Sequence, residues 1–159
     1  MSIVYRRMRA ADVPAVHRIE ELTFPQPWTE ADFTYEVSQN PCARYMVVEK
    51  DGHVAGYAGA RIVMEEGDIT NVAIHPALRG MGLGKGVVAA LLQYAANLGV
   101  QALTLEVRRG NLAAQHVYES LGFERFGVRK GYYTDNGEDA YLMVCTRMPA
   151  PDPNFLEHP

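Results

Sequence analysis

The chain has little of what would tie it to the cell exterior or a membrane. Its 159 residues include only two cysteines, Cys42 and Cys145, which match neither a disulfide framework nor a metal spacing such as CxxC. The opening MSIVYRRMRAADVP lacks the apolar core of a signal peptide, and no uncharged run approaches the ~18 residues that span a bilayer. Positive charge is scarce too. Fifteen Lys and Arg against nineteen Asp and Glu leave a net charge of −4, which excludes a bulk basic footprint for nucleic acid. The histidines at 17, 53, 75, 116 and 158 lie far apart, so no metal site is expected. These absences predict a protein of the reduced cytoplasm with no membrane and no direct nucleic-acid partner.

A chain of this length fits one domain, able to bury roughly 70% of the surface its unfolded form exposes. Asp12 is placed to cap a helix carrying Pro14 in its first turn and Val13, Val16 and Ile19 as an apolar stripe. Thr29 and Asp32 form a capping-box pattern for a second helix with Phe33 and Val37 on one side. RYMVVEKDGHVAGYAGARIVM reads as a hairpin turning at Asp51-Gly52, and a turn at EEGD leads to a third strand, Ile69 to Ile74. Val87, Leu91, Ala95 and Leu98 then recur at helical spacing before Gly99, and ALTLEV, 102 to 107, is another strand. Asn111 caps a helix in which Ala114, Val117, Tyr118 and Leu121 share a face before Gly122, and a last hairpin turns around TDNG. The predicted order is ααβββαβαββ, a mixed α/β (α+β) class with one domain over 1–148. The proline-rich tail PAPDPNFLEHP, 149–159, is expected to be disordered.

The turn LRGMGLGKG, 78 to 86, puts four glycines and two cations between a strand and a helix. It is not a Walker A loop, because Arg79 and Gly86 stand where that motif needs glycine and Ser or Thr. Nor is it a GxGxxG fingerprint, whose third glycine would fall on Lys85 or Val87. Its physics still suits an anion. Glycines let the backbone come close, the helix start adds free N–H groups, and Arg79 and Lys85 can neutralise what the amides do not. A diphosphate fits, and so does a tight connection with no ligand.

VAIHPALRGMGLGKGVVAALLQYA resembles the acetyl-coenzyme A motif of the GCN5-related N-acetyltransferases (GNAT), Arg/Gln-x-x-Gly-x-Gly/Ala after a strand, and NLAAQHVYESLGF resembles that family's next helix. The likeness runs from about residue 3 to 147. FPQPWTE, LEVRRGN, VYESLGF and RKGYYTDNGEDAYLM are similar to the RimI-type branch, which acetylates the N-terminal alanine of a small-subunit ribosomal protein.

This resemblance implies the GNAT fold, with a mostly antiparallel central sheet flanked by helices, and acetyl-coenzyme A as co-substrate. It implies a cofactor site at Arg79, Gly80, Met81, Gly82, Leu83, Gly84 and Lys85. The backbone amides of Val72, Ala73 and Ile74 would hold the thioester and pantetheine arm, with Asn111 and Tyr118 as further contacts. Glu106, which the alternation of its strand turns away from Leu105 and Val107, becomes the general base. Tyr118 becomes the acid for the leaving thiolate, although spacing alone also fits a core tyrosine. Phe24, Pro25 and Trp28 on one side and Tyr132 and Tyr133 on the other become the walls of an acceptor-peptide slot, although Phe24 and Trp28 equally fit core anchors. Glu20, Glu21, Glu30 and Glu36 are a solvated acidic face or an acidic approach for a basic tail. A protein α-amine suits a single carboxylate base: near neutral pH its deprotonation costs about 1.4 kcal/mol, against roughly 4.6 for lysine. Acetylation of a small amine or an internal lysine, or acyl-coenzyme A binding without catalysis, are the alternatives.

Overall fold

Asp51 and Gly52 both take positive φ, 52° and 84°, as a two-residue type I′ turn requires. They close the hairpin of β2 (Ala43–Lys50) and β3 (His53–Val63) in this computed structural model, which describes residues 1–155. A second two-residue turn, at Met64 and Glu65, leads into β4 (Glu66–Ile74). That strand starts three residues before the predicted Ile69. Gly67 serves the sheet rather than a turn, since a Cβ there would meet Leu103 Cδ2 at 2.8 Å and Arg61 O at 2.9 Å.

From β4 the chain passes through the glycine turn into α3 (Leu83–Asn97) and returns as β5 (Ala102–Arg108), parallel to β4. Gly99, at φ 87°, stops α3 with Gly99 N–H to Ala96 O and Val100 N–H to Ala95 O, the paired bonds of a Schellman cap. Asn111 caps α4 (Leu112–Ser120) by accepting from Ala114 N–H at 3.1 Å, and Gly122 closes it as predicted. β6 (Glu124–Arg129) and β7 (Ala140–Cys145) complete the chain. Among the described residues the sheet has seven strands, β1 being Ile3–Arg7, in the order β1-β2-β3-β4-β5-β7-β6, antiparallel except at β4 and β5.

The leading strand β1 (Ile3–Arg7) stands before α1 (Val13–Thr23) and α2 (Glu30–Ser38) and was absent from the predicted order. Its pattern was hidden because Arg6 takes an inward position, only 4% exposed. Asp12 is what satisfies that arginine, with both carboxylate oxygens 2.8 Å from guanidinium nitrogens, and Glu49 adds a bond at 3.0 Å. The expected cap is corrected accordingly: Asp12 accepts from Arg6 and from Arg9 N–H, and makes no side-chain cap to α1. The Thr29–Asp32 capping box at α2 is formed.

Two cores lie on the two faces of the sheet. Val13, Val16, Ile19 and Phe33 from α1 and α2 pack on Tyr45, Val47, Tyr57 and Ala73. Leu83, Val87, Leu91 and Ala95 of α3 pack on Met46, Val48, Leu103, Leu105 and Val107, joined by Ala114, Tyr118 and Leu121. Part of the tail differs from its expected disorder. Asn97 exchanges two hydrogen bonds with the Asp152 backbone, Gln93 donates to Ala150 O, and Phe155 packs on the second core; residues 156–159 lie outside the described residues. No helix among the described residues is long and apolar enough to cross a membrane.

Candidate active site

β4 pairs with β5 only from Glu66 to Asp68 and then diverges from it. The divergence follows a β-bulge: the register passes from Ala60↔Ile69 to Gly59↔Asn71, leaving Thr70 as the extra residue. Beyond it, His75 N–H donates to Ala55 O. Strand alternation then points Ala73 N–H toward β3 as well, and Val72 and Ile74 N–H outward into the gap. Two of the three backbone groups expected to serve a ligand are therefore free to do so. Ala73 is the exception, with its N–H in the β3 ladder and its side chain buried under α1 and α2.

The gap opens into a cleft of about 470 Å³. Glu106, Tyr118, Asn111, Val72, Phe24, Pro25, Trp28, Tyr132 and Tyr133, scattered over the sequence, all line it. Leu103, Leu105 and Val107 are buried on the α3 and α4 side, so Glu106 projects to the opposite face, toward α1 and α2. Tyr118 approaches from the α4 side, its ring edge-on to Phe123 at 5.8 Å. Burial pushes its phenol up to about 12, which keeps it protonated at any physiological pH. A carboxylate and a protonated phenol thus reach one cleft from the two faces of the sheet.

The walls of the cleft are tied down. Trp28 N–H donates to Glu20 Oε2 at 3.0 Å, and Tyr57 O–H donates to Glu20 Oε1. Glu20 is 3% exposed; of the four carboxylates expected at a solvated face, it is instead a buried anchor for the loop that carries Phe24 and Trp28. Opposite, Arg108 bonds Asp135 at 3.0 Å and Glu138 at 3.2 Å, fixing the connection that carries Tyr132 and Tyr133. Burial pushes the Tyr133 phenol up to about 12 against the opposing pull of Arg108.

The glycine turn lies beyond the cleft along β4. Gly80 and Gly82 take φ of 82° and 79° with open space where a Cβ would be. The first backbone bond of α3 there is Gly86 N–H to Gly82 O, and no side chain among the described residues caps the helix. Leu83, Gly84 and Lys85 therefore keep N–H groups without intrahelical partners at the positive end of the helix dipole. Met81 and Lys85 are exposed beside them. Arg79 braces the turn, donating to Ile74 O at 3.1 Å and to Thr23 Oγ1 at 3.3 Å. Free outward amides on β4 leading to an uncapped glycine-rich helix start fit a long ligand with a diphosphate at one end.

The model of the acetyltransferase (GNAT) family matches residues 13–123. The chain belongs to that family. It is 45% identical over 141 residues, 89% of the chain and 93% of the relative, to a Bacillus subtilis protein provisionally named a ribosomal protein bS18-alanine N-acetyltransferase. It is 35% identical over 141 residues, 86% of the chain and 93% of the relative, to the Escherichia coli protein of that name. The crystal structure of the ribosomal-protein-S18-alanine N-acetyltransferase from Escherichia coli superposes with a TM-score of 0.84 at 31% identity, covering 96% of this chain and 98% of that one.

The roles of three residues of this GNAT cleft escaped the sequence reading. Glu20 had a signal, since 13, 16 and 20 continue the buried spacing of α1. Arg108 had none, because its partners lie some thirty residues on. Asn71 had none either: the bulge at Thr70, which decides the face it takes, leaves no mark in ITNVAI.

Proposed function

We propose that this N-acetyltransferase moves an acetyl group from acetyl-coenzyme A to the α-amine of a protein N-terminus, with the alanine of a small-subunit ribosomal protein as acceptor. The observation that carries the reading is the cleft between the diverging β4 and β5, which has Glu106 on one face, Tyr118 on the other and aromatic walls for a chain end. The relatives from Escherichia coli and Bacillus subtilis are named for this acceptor. Both substrates are those of the cytoplasm.

Acetyl-coenzyme A supplies an acyl group on a thiol that can leave as thiolate. The uncapped start of α3, with Arg79 and Lys85 near it, holds the diphosphate, while Val72 and Ile74 N–H bind along the arm. Donors so placed, aimed where negative charge develops, are worth about 3 kcal/mol each. Asn111 keeps its amide N–H2 for the donor while its oxygen caps α4. Glu106 takes the proton from the arriving ammonium, directly or through one water, and Tyr118 gives its proton to the departing thiolate. Phe24, Pro25, Trp28, Tyr132 and Tyr133 clamp the acceptor, so both substrates are bound together and transfer is direct.

Mass spectrometry tests this with acetyl-coenzyme A and two peptides, one beginning Ala-Arg, the other with a blocked α-amine and a free lysine. The expected result is one acetyl group on the free α-amine only. Acetylation confined to the lysine peptide would reject the reading.

A further inference from the structure

Tyr45, Gly59 and Asn71 are direct neighbours on three adjacent strands: Tyr45 pairs with Gly59 and Gly59 with Asn71. The Tyr45 ring lies over Gly59 so closely that a Cβ there would fall 2.2 Å from Cε2. Glycine at 59 is what lets the phenol cross β3 to the next strand. Its O–H donates to Asn71 Oδ1 at 2.9 Å, and the Thr70 hydroxyl reaches the same oxygen at 3.0 Å. With its oxygen held in this way, the amide nitrogen is the group of Asn71 left over. Asn71 Nδ2 is buried and has no hydrogen-bond partner among the described residues, although buried donors are nearly always paired.

The orphan donor belongs to the cleft. Asn71 lines it; by alternation it shares the α1 and α2 face with Ala73, and the bulge at Thr70 is what separates both from Ile69, which packs on the α3 side; re-aiming a side chain into a site is a common use of a bulge. Glu106 projects to that face from β5, on the other side of the gap. An amine drawn to Glu106 brings with it, when it is a chain terminus, a carbonyl carbon only two bonds away. That carbonyl is the first acceptor such a substrate offers toward β4. A lysine side chain offers none near its amine.

We propose that Asn71 Nδ2 donates to the main-chain carbonyl of the acceptor's first residue, so that Asn71, oriented by Tyr45 across Gly59, selects α-amines of peptides over other amines. The inference rests on the reading that the acceptor is a protein N-terminus.

The test compares an alanine-first peptide with its analogue in which the first peptide bond is an (E)-alkene, which keeps the shape and lacks the carbonyl. Wild type, Asn71→Ala and Tyr45→Phe are assayed on both. On the peptide, Asn71→Ala loses roughly tenfold in kcat/KM, the scale of one buried hydrogen bond left unmade, chiefly through KM. On the alkene, wild type and variant agree within about twofold, because there is no carbonyl to hold. Tyr45→Phe shows the same acceptor dependence with a smaller loss, and it carries the test if Asn71→Ala does not fold. Equal losses on both acceptors, or no loss on the peptide, overturn the proposal. Wild type that acetylates other amines but not the peptide overturns the N-terminal reading and this inference with it; a working wild type matched by both variants overturns the inference alone.

Discussion

The guanidinium of Arg108 lies 3.9 Å from the centre of the Tyr133 ring, two residues beyond Glu106 on the same strand. It also holds Asp135 and Glu138, while Glu138 accepts from Gly110 N–H at 2.7 Å. One side chain therefore links the strand of the candidate base to the aromatic wall of the acceptor slot. Its partners are partly exposed, so each ion pair contributes modestly and the stacking adds a similar amount. Replacing Arg108 by Met keeps the stem and removes the fork. We expect KM for the acceptor peptide to rise roughly fivefold, the equivalent of about 1 kcal/mol, with kcat and KM for acetyl-coenzyme A nearly unchanged. Initial rates with each substrate varied in turn check this.

The roles given to Glu106 and Tyr118 separate by pH. Glu106→Gln and Tyr118→Phe should each lower kcat by about 10²-fold or more at pH 7. An α-amine with pKa near 8 is increasingly neutral above that pH and needs the base less. The deficit of Glu106→Gln therefore narrows from pH 7 to 9. The Tyr118 phenol, pushed up to about 12 by burial, does not titrate in that interval, so the deficit of Tyr118→Phe stays constant. Profiles of kcat against pH that run parallel for the two variants would contradict the assignment.

How much of this was legible in the sequence depended on whether a feature was local. Asp51-Gly52, Thr29–Asp32, Asn111, Gly99 and Gly122 act through backbone geometry within a few residues, and each stands where its sequence signature put it. Failures came where distant residues decide the outcome. Arg6 reads as a surface charge until Asp12 and Glu49 are brought to it, which hid β1 and misassigned Asp12. Ala73 looks equivalent to Val72 and Ile74 until the pairing of β4 with β3 shows which amides are already used. Glu20 reads as solvated until Tyr57, thirty-seven residues on, arrives over it. The docking of 150–155 on α3 depends on Gln93 and Asn97, which carry no sign of that use.

Alkaline stability should fall in a defined window. Burial raises the phenols of Tyr118 and Tyr133 to about 12 and lifts those of Tyr45 and Tyr57 as well, Tyr57 further through its bond to the Glu20 carboxylate. Unfolded tyrosines titrate near 10. A group with its folded pKa raised gives stability that is whole below the unfolded pKa and is lost as pH climbs toward the folded one. Between pH 10 and 12 the unfolded chain binds fewer protons than the native one, so stability falls with rising pH. Urea midpoints should decline from pH 10 upward, and Tyr118→Phe, which removes one such group, should decline less steeply than wild type.

The Arg6–Asp12 pair predicts where the fold is most vulnerable to a single change. Arg6 is 4% and Asp12 6% exposed, so each would be costly alone. Burial by itself would raise the Asp12 pKa, but its bonds from Arg6 and Arg9 N–H hold it below the usual carboxylate range. That contribution is present above the unfolded pKa near 3.9 and is lost as pH falls through the lower folded value. Removing one partner strands the other charge, which typically costs 3–5 kcal/mol. Asp12→Ala should therefore lower the urea midpoint at pH 7 by an amount equivalent to about 4 kcal/mol, and more than Glu49→Gln, since Glu49 is the outer and more exposed member. The double variant Arg6→Met with Asp12→Leu should recover most of that loss, because exchanging a buried pair for apolar side chains of similar volume removes the desolvation cost as well as the attraction. A double variant no more stable than Asp12→Ala would mean instead that the two oxygens of Asp12 hold β1 against α1 by geometry that packing cannot replace.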